Sequence, residues 1–136
     1  MQNKIEAPGG RPYKNLPRIQ SVIADAEMIL GAARSYVFSA MEREWGSLER
    51  HEVPTEKERA DSWLSRVNVA QSARDVIRML YDAVGGSAIY LNNGPFDLAL
   101  RDAETWCQHL GVQRRTLEWV GAMLLKSDGP PPFPLL

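Results

Sequence analysis

The chain has 136 residues, of which 44% are hydrophobic and 24% charged, and its formal net charge is −1. That length suits one domain with a core of its own. The near-neutral balance removes the electrostatic basis for gripping nucleic acid or an anionic membrane, and no apolar run approaches the roughly 20 residues that span a bilayer.

Residues 1–16 read as an extended arm, because Pro8, Gly9, Gly10 and Pro12 break regular structure. Pro17 suits the first position of a helix, where its missing N–H costs nothing. The first long helix is predicted over 17–45. Ile19, Val22, Ile23, Ala26, Leu30, Ala33, Val37, Ala40 and Met41 recur there as one apolar stripe. A helix of roughly 28 residues is about 42 Å long, a length typical of bundles. A polar loop over 46–54 follows.

Thr55 and Glu58 form a capping box, which opens a second helix predicted over 56–84. Leu64, Val67, Ala70, Ile77, Leu80 and Val84 make one face of it, and Val69, Ala73, Val76 and Ala83 make another. Two apolar faces imply neighbours on more than one side. Gly85 and Gly86 stop this helix. Gly94 and Pro95, with Asp97 in the first turn, open a third helix that runs to a stop or bend at Gly111. Its stripe is Phe96, Ala99, Leu100, Ala103, Trp106, Cys107 and Leu110. A fourth helix is expected over 113–126, with Leu117, Val120, Gly121 and Leu124 inward. The tail at 127–136 is too rich in proline for a helix. Nowhere does the alternation of a strand appear. The fold class is therefore all-α, an antiparallel helical bundle over 17–126.

Asp102, Thr105 and His109 follow one another at spacings of three and four, so on a continuous helix they share one side, flanked by Arg101 and Gln108. That stripe faces either solvent or a polar cavity. In the second case His109 can donate a hydrogen bond or shuttle a proton near neutral pH. The glycine pair is either a plain helix stop or a stretch of backbone that a bulky ligand can approach closely. Trp63 and Trp119 suit the core or an interface better than a stacked ligand. His51 belongs to a charged loop, and two distant histidines with one cysteine give no metal-ligand spacing. Nor is there a phosphate-binding loop. A single cysteine, Cys107, and a polar N-terminus without a signal peptide fit a cytoplasmic protein.

The ordered series Gly85-Gly86-Ser87-Ala88-Ile89-Tyr90, Pro95, Arg101-Asp102 and Gln108-His109 resembles the C-terminal helical domain of the acyl-CoA dehydrogenase-like flavoproteins. Gly9 to Pro12, Pro17 to Gln20, Ala26-Glu27, Ala32 to Arg34 and Glu118 with Gly121 to Leu125 extend the likeness over nearly the whole chain. It is nearest the flavin-dependent monooxygenases of two-component systems. The resemblance implies a flavin, FMN or FAD, contacted by Gly85, Gly86 and Ser87 and bound largely by a neighbouring subunit. It implies that Arg101 and Gln108 belong to the cofactor site. It also implies a catalytic histidine beside the flavin, matched by His109, and a partner flavin reductase. The dehydrogenase branch places a glutamate base about where Leu110 stands, and leucine abstracts no proton.

The family's N-terminal helical domain, β domain and first bundle helix have no counterpart here, so the chain reads as the last part of a larger enzyme. Helix faces left uncovered by that absence imply a homo-oligomer, dimer or tetramer, or a partner subunit. A fragment of an acyl-CoA dehydrogenase and a non-catalytic oligomerisation module are the alternative readings.

Overall fold

A computed structural model describes residues 4–6, 9–90 and 94–128. Most of the proline-rich tail lies outside those residues. Four α-helices follow one another: α1 (Pro17–Glu49), α2 (Glu56–Val84), α3 (Phe96–Trp106) and α4 (Thr116–Leu125). No strand occurs among the described residues, although Ile5 and Pro12 form one antiparallel bridge in the arm. The all-α expectation holds.

The second helix has the expected ends. The Thr55 side chain accepts from the Glu58 N–H at 3.2 Å, and the Glu58 carboxylate accepts from the Thr55 N–H at 2.7 Å. These bonds satisfy two of the donors that a helix start leaves orphaned. Gly85 takes φ 71°, a value that disfavours a side chain, and closes the other end by donating back to Tyr81 and Asp82.

The first helix is longer than expected and reaches Glu49. Gly46 does not stop it, because the Gly46 carbonyl still accepts from the Arg50 N–H at 3.3 Å. At 33 residues, α1 is a rod of about 50 Å. Its buried positions are Ile19, Ala26, Ala33, Ala40 and Ser47, each seven residues after the last. A repeat of seven is the mark of a narrow seam between two helices. Apart from Ile19, the seam residues are small, so α2 lies close. Ile23, Leu30 and Met41, part of the apolar stripe read from the spacing, stand outside this seam and are exposed.

The α1–α2 pair is antiparallel. Ser47 donates to Glu58 at 2.9 Å, Arg43 meets Asp61 at 3.3 Å, and Ile19 shares a small core with Ala83, Tyr13 and Leu16. The remaining helices pack on α2. Among the described residues α1 touches only α2 and the Tyr13–Asn15 turn, whereas α2 also meets Gly85–Ile89, α3 and α4. The four helices therefore do not surround one common core. They gather around α2, as its two expected apolar faces require.

The last two helices are shorter than expected. Hydrogen bonds from side chains to the backbone explain why. Cys107 is buried with its thiol 3.6 Å from the Ala70 carbonyl. The Gln71 amide donates to the Val112 carbonyl at 3.1 Å, and the Thr116 hydroxyl donates to the Leu110 carbonyl at 2.7 Å. The chain between Cys107 and Arg115 is thus pinned in tight turns instead of continuing α3. In α4 the buried side chains are Thr116, Trp119 and Val120, one residue earlier than expected, and Leu124 points outward at 51% exposure. Trp119 fills the core, as its type suggests. No helix is long and apolar enough to cross a membrane among the described residues.

Candidate functional site

Two places carry the candidate residues, and they lie far apart. The first is the corner after α2, where Gly85–Ile89 forms a 3-10 turn. Gly85 needs to be glycine for its positive φ. Gly86 does not share that need, and a Cβ at either position would meet nothing within 4 Å. The chain's own packing thus gives no reason for the bare backbone at Gly86. A body outside the chain would supply one, by approaching it closely.

Beside the glycines sits a tie that no sequence motif signals. The Lys4 ammonium donates to the Val84 carbonyl and the Ser87 hydroxyl, and it lies 4.9 Å from the centre of the Tyr13 ring. Ser87 itself donates to the Val84 carbonyl at 3.4 Å. Lys4 is one of three basic residues in a Gly/Pro-rich arm and lies 80 positions from its backbone partner, so periodicity and spacing say nothing of it.

The second place is the end of α3. Arg101 is exposed and pairs with Asp97 one turn earlier at 3.4 Å. The Thr105 hydroxyl donates to the Arg101 carbonyl at 2.8 Å. Gln108 and His109 are exposed and lie past the last helical residue, Trp106. The expected helical stripe of Asp102, Thr105 and His109 is therefore not formed, because the pinned turns carry His109 off the helix. The ring has a definite arrangement all the same. Its Nδ1 accepts from the Gly111 N–H at 3.2 Å. A neutral imidazole with Nδ1 as acceptor carries its proton on Nε2. His109 is thus a donor through Nε2.

The separation follows from α2. Cys107 and Val112, on either side of His109, are tied to Ala70 and Gln71, whereas the corner begins after Val84. Fourteen residues of helix at 1.5 Å each put about 20 Å between the two places. The isoalloxazine ring of a flavin is shorter than that. No single such ring can touch both within one copy of the chain.

A third feature holds none of the candidate residues. Phe38, Met41, Trp45 and Leu48 line an open groove of about 310 Å³ with Glu42, Glu44 and Arg66. These four apolar side chains are 50–62% exposed. Arg66 stacks over Trp63 at 4.9 Å and reaches Glu44 at 3.8 Å. Near this end of the α1–α2 pair lie two groups whose acidity the fold shifts. Hydrogen bonds from the Thr55 backbone, then its hydroxyl, then Ser47 hold Glu58 below the usual glutamate range, and burial followed by Asp61 raises the Tyr36 hydroxyl. No group of acidic residues, histidine and cysteine able to hold a metal occurs among the described residues.

The profile of the family described as acyl-CoA dehydrogenase, C-terminal domain, matches residues 1–114. The chain belongs to that family. The match takes in the arm, the α1–α2 pair, the glycine corner and α3. This acyl-CoA dehydrogenase C-terminal domain is also similar to the indole-3-acetate monooxygenase of Acinetobacter baumannii, at 29% identity over 131 residues. The similarity covers 96% of the chain and 33% of the relative, so the chain spans about a third of that relative's length.

Proposed function

We propose that the chain is the C-terminal part of a flavin-dependent oxidoreductase, a monooxygenase acting on an aromatic or heterocyclic substrate. The observation that carries this reading is the similarity along 96% of the chain to a protein named for oxygenation of an indole acid. The donor set fits a flavin. His109 offers Nε2–H, and Gly85 and Gly86 leave open space beside their backbone. When bound, a flavin, FMN or FAD, would supply the redox chemistry, with a flavin reductase as the expected partner. His109 donates a hydrogen bond toward one flavin. Gly85, Gly86 and Ser87 border a flavin held largely by a second copy, and about 20 Å along α2 keeps that corner away from the ring beside His109. Gln108, next to His109 in the chain, and Arg101, further back on α3, add exposed polar groups. Leu110, exposed and apolar, abstracts no proton, which disfavours the acyl-CoA dehydrogenase alternative.

The second reading is a helical assembly module. The observation favouring it is the uncovered face of α1, with Phe38, Met41, Trp45 and Leu48 in solvent. Both readings imply a homo-oligomer and differ in the cofactor. Titration with FMN and with FAD, followed by flavin fluorescence, separates them. Saturable quenching by the wild type, with affinity unchanged in His109→Ala, supports the flavoprotein reading and a role for His109 in chemistry instead of affinity. An oligomer that binds neither flavin overturns it and leaves the assembly module.

A further inference from the structure

The sequence leaves one end of α2 electrostatically bare. Its last turn carries no basic residue and does contain Asp82, although the carbonyls of a helix C-terminus favour a cation. The cation arrives from the opposite end of the chain. Lys4 reaches the Val84 carbonyl and the Ser87 hydroxyl across sequence separations of 80 and 83. The arm is built to deliver it. The Tyr13 N–H donates to the Lys4 carbonyl at 2.8 Å, and the Glu6 N–H donates to the Arg11 carbonyl at 2.9 Å. Tyr13, Leu16 and Ile19 bury themselves against Ala83 directly below the corner. The Tyr13 ring receives Lys4 at 4.9 Å and Arg18 at 5.3 Å.

We infer that the N-terminal arm is a clip for the glycine corner and that Lys4 is a positioning residue. By holding one carbonyl and one hydroxyl, its ammonium fixes the path of Gly85, Gly86 and Ser87. The two glycines have the freest backbone in the segment, and neither has a neighbour within 4 Å of a side-chain position to restrain it. A corner left to itself would sample many shapes, and only a restrained one offers a constant surface. Under the flavin reading, on which this part of the inference rests, that surface is the one a cofactor meets.

The test compares the wild type with Lys4→Met, which keeps the aliphatic stem and removes the ammonium, and Lys4→Arg, which keeps the charge. Amide hydrogen exchange is followed at residues 85–90 and, as an internal reference, at residues 67–76 in the middle of α2. The expected result is at least about tenfold faster exchange at the corner in Lys4→Met, which loses both charge-assisted hydrogen bonds of the ammonium. The reference amides stay unchanged, and Lys4→Arg restores most of the protection. Unchanged exchange at the corner overturns the clip, and equal acceleration in the reference region overturns it as well, since that reports general loosening. A parallel FMN and FAD titration reads the cofactor part. Several-fold weaker binding in Lys4→Met, recovered in Lys4→Arg, supports positioning of the cofactor surface, and unchanged affinity overturns that part. A wild type that binds no flavin but shows the exchange difference leaves the clip standing and overturns the flavin reading instead.

Discussion

At the scale of single residues, the strongest local signal in the chain is Thr55 with Glu58. Two reciprocal bonds hold it, and a third reaches across to Ser47 of α1. Thr55→Ala should destabilise the fold by about 1 kcal/mol, the ordinary loss for a helix N-cap, as read from urea melts. The same group sets a pH dependence. Glu58 is held below its ordinary value of 4.5, so its contribution is fully present above that pH. It fades as the pH falls further, through the lowered value of the folded state. Glu58→Gln, which has no carboxylate to titrate, should therefore flatten the stability-versus-pH curve below pH 4.5, relative to the wild type. His109 gives a second residue-scale test. Nitrogen-15 shifts of its neutral ring should report the proton on Nε2, because the Gly111 N–H occupies Nδ1. An Nδ1–H ring would remove His109 from the donor role proposed for it.

At the scale of elements, legibility depended on whether a boundary was written in local chemistry. The start of α2 was legible because a capping box is local, and its end because Gly85 must take a positive φ. The end of α3 was not, because the bonds that stop it come from Ala70 and Gln71 on another helix and from Thr116 further along the chain. That hidden stop also moved His109 off the helix on which spacing alone had put it. Thr116→Val keeps the shape and removes the hydroxyl, which leaves the Leu110 carbonyl without this donor. A loss of about 1–2 kcal/mol is expected, with loosened exchange protection at residues 107–112. The α1 seam makes the opposite demand. Ala40 is fully buried, so Ala40→Leu should overpack the contact with α2 and cost about 1–3 kcal/mol in a thermal melt. A neutral result would mean that the seam is looser than its repeat of seven implies.

At the scale of the whole molecule, the exposed face of α1 dominates. A rod of about 50 Å with one long helical neighbour among the described residues leaves Phe38, Met41, Trp45 and Leu48 in water, and soluble proteins seldom present such a stripe without a use for it. Light scattering at micromolar concentration should find an oligomer. Phe38→Glu combined with Trp45→Glu should shift it toward the monomer without unfolding, since neither side chain belongs to the intramolecular seam. A wild type that is already monomeric would remove the oligomer from both functional readings. The position of α2 carries one more consequence. It is a single stiff beam with the corner at one end and the loop bearing His109 fastened near its middle. If those places serve different flavins, every beam joins two cofactors. A first flavin that stiffens the corner lessens the ordering still required at the other, so loading should be cooperative without any large movement. A sigmoidal binding isotherm is the expected mark, and it should relax to a simple hyperbola in the double glutamate variant, where beams no longer meet.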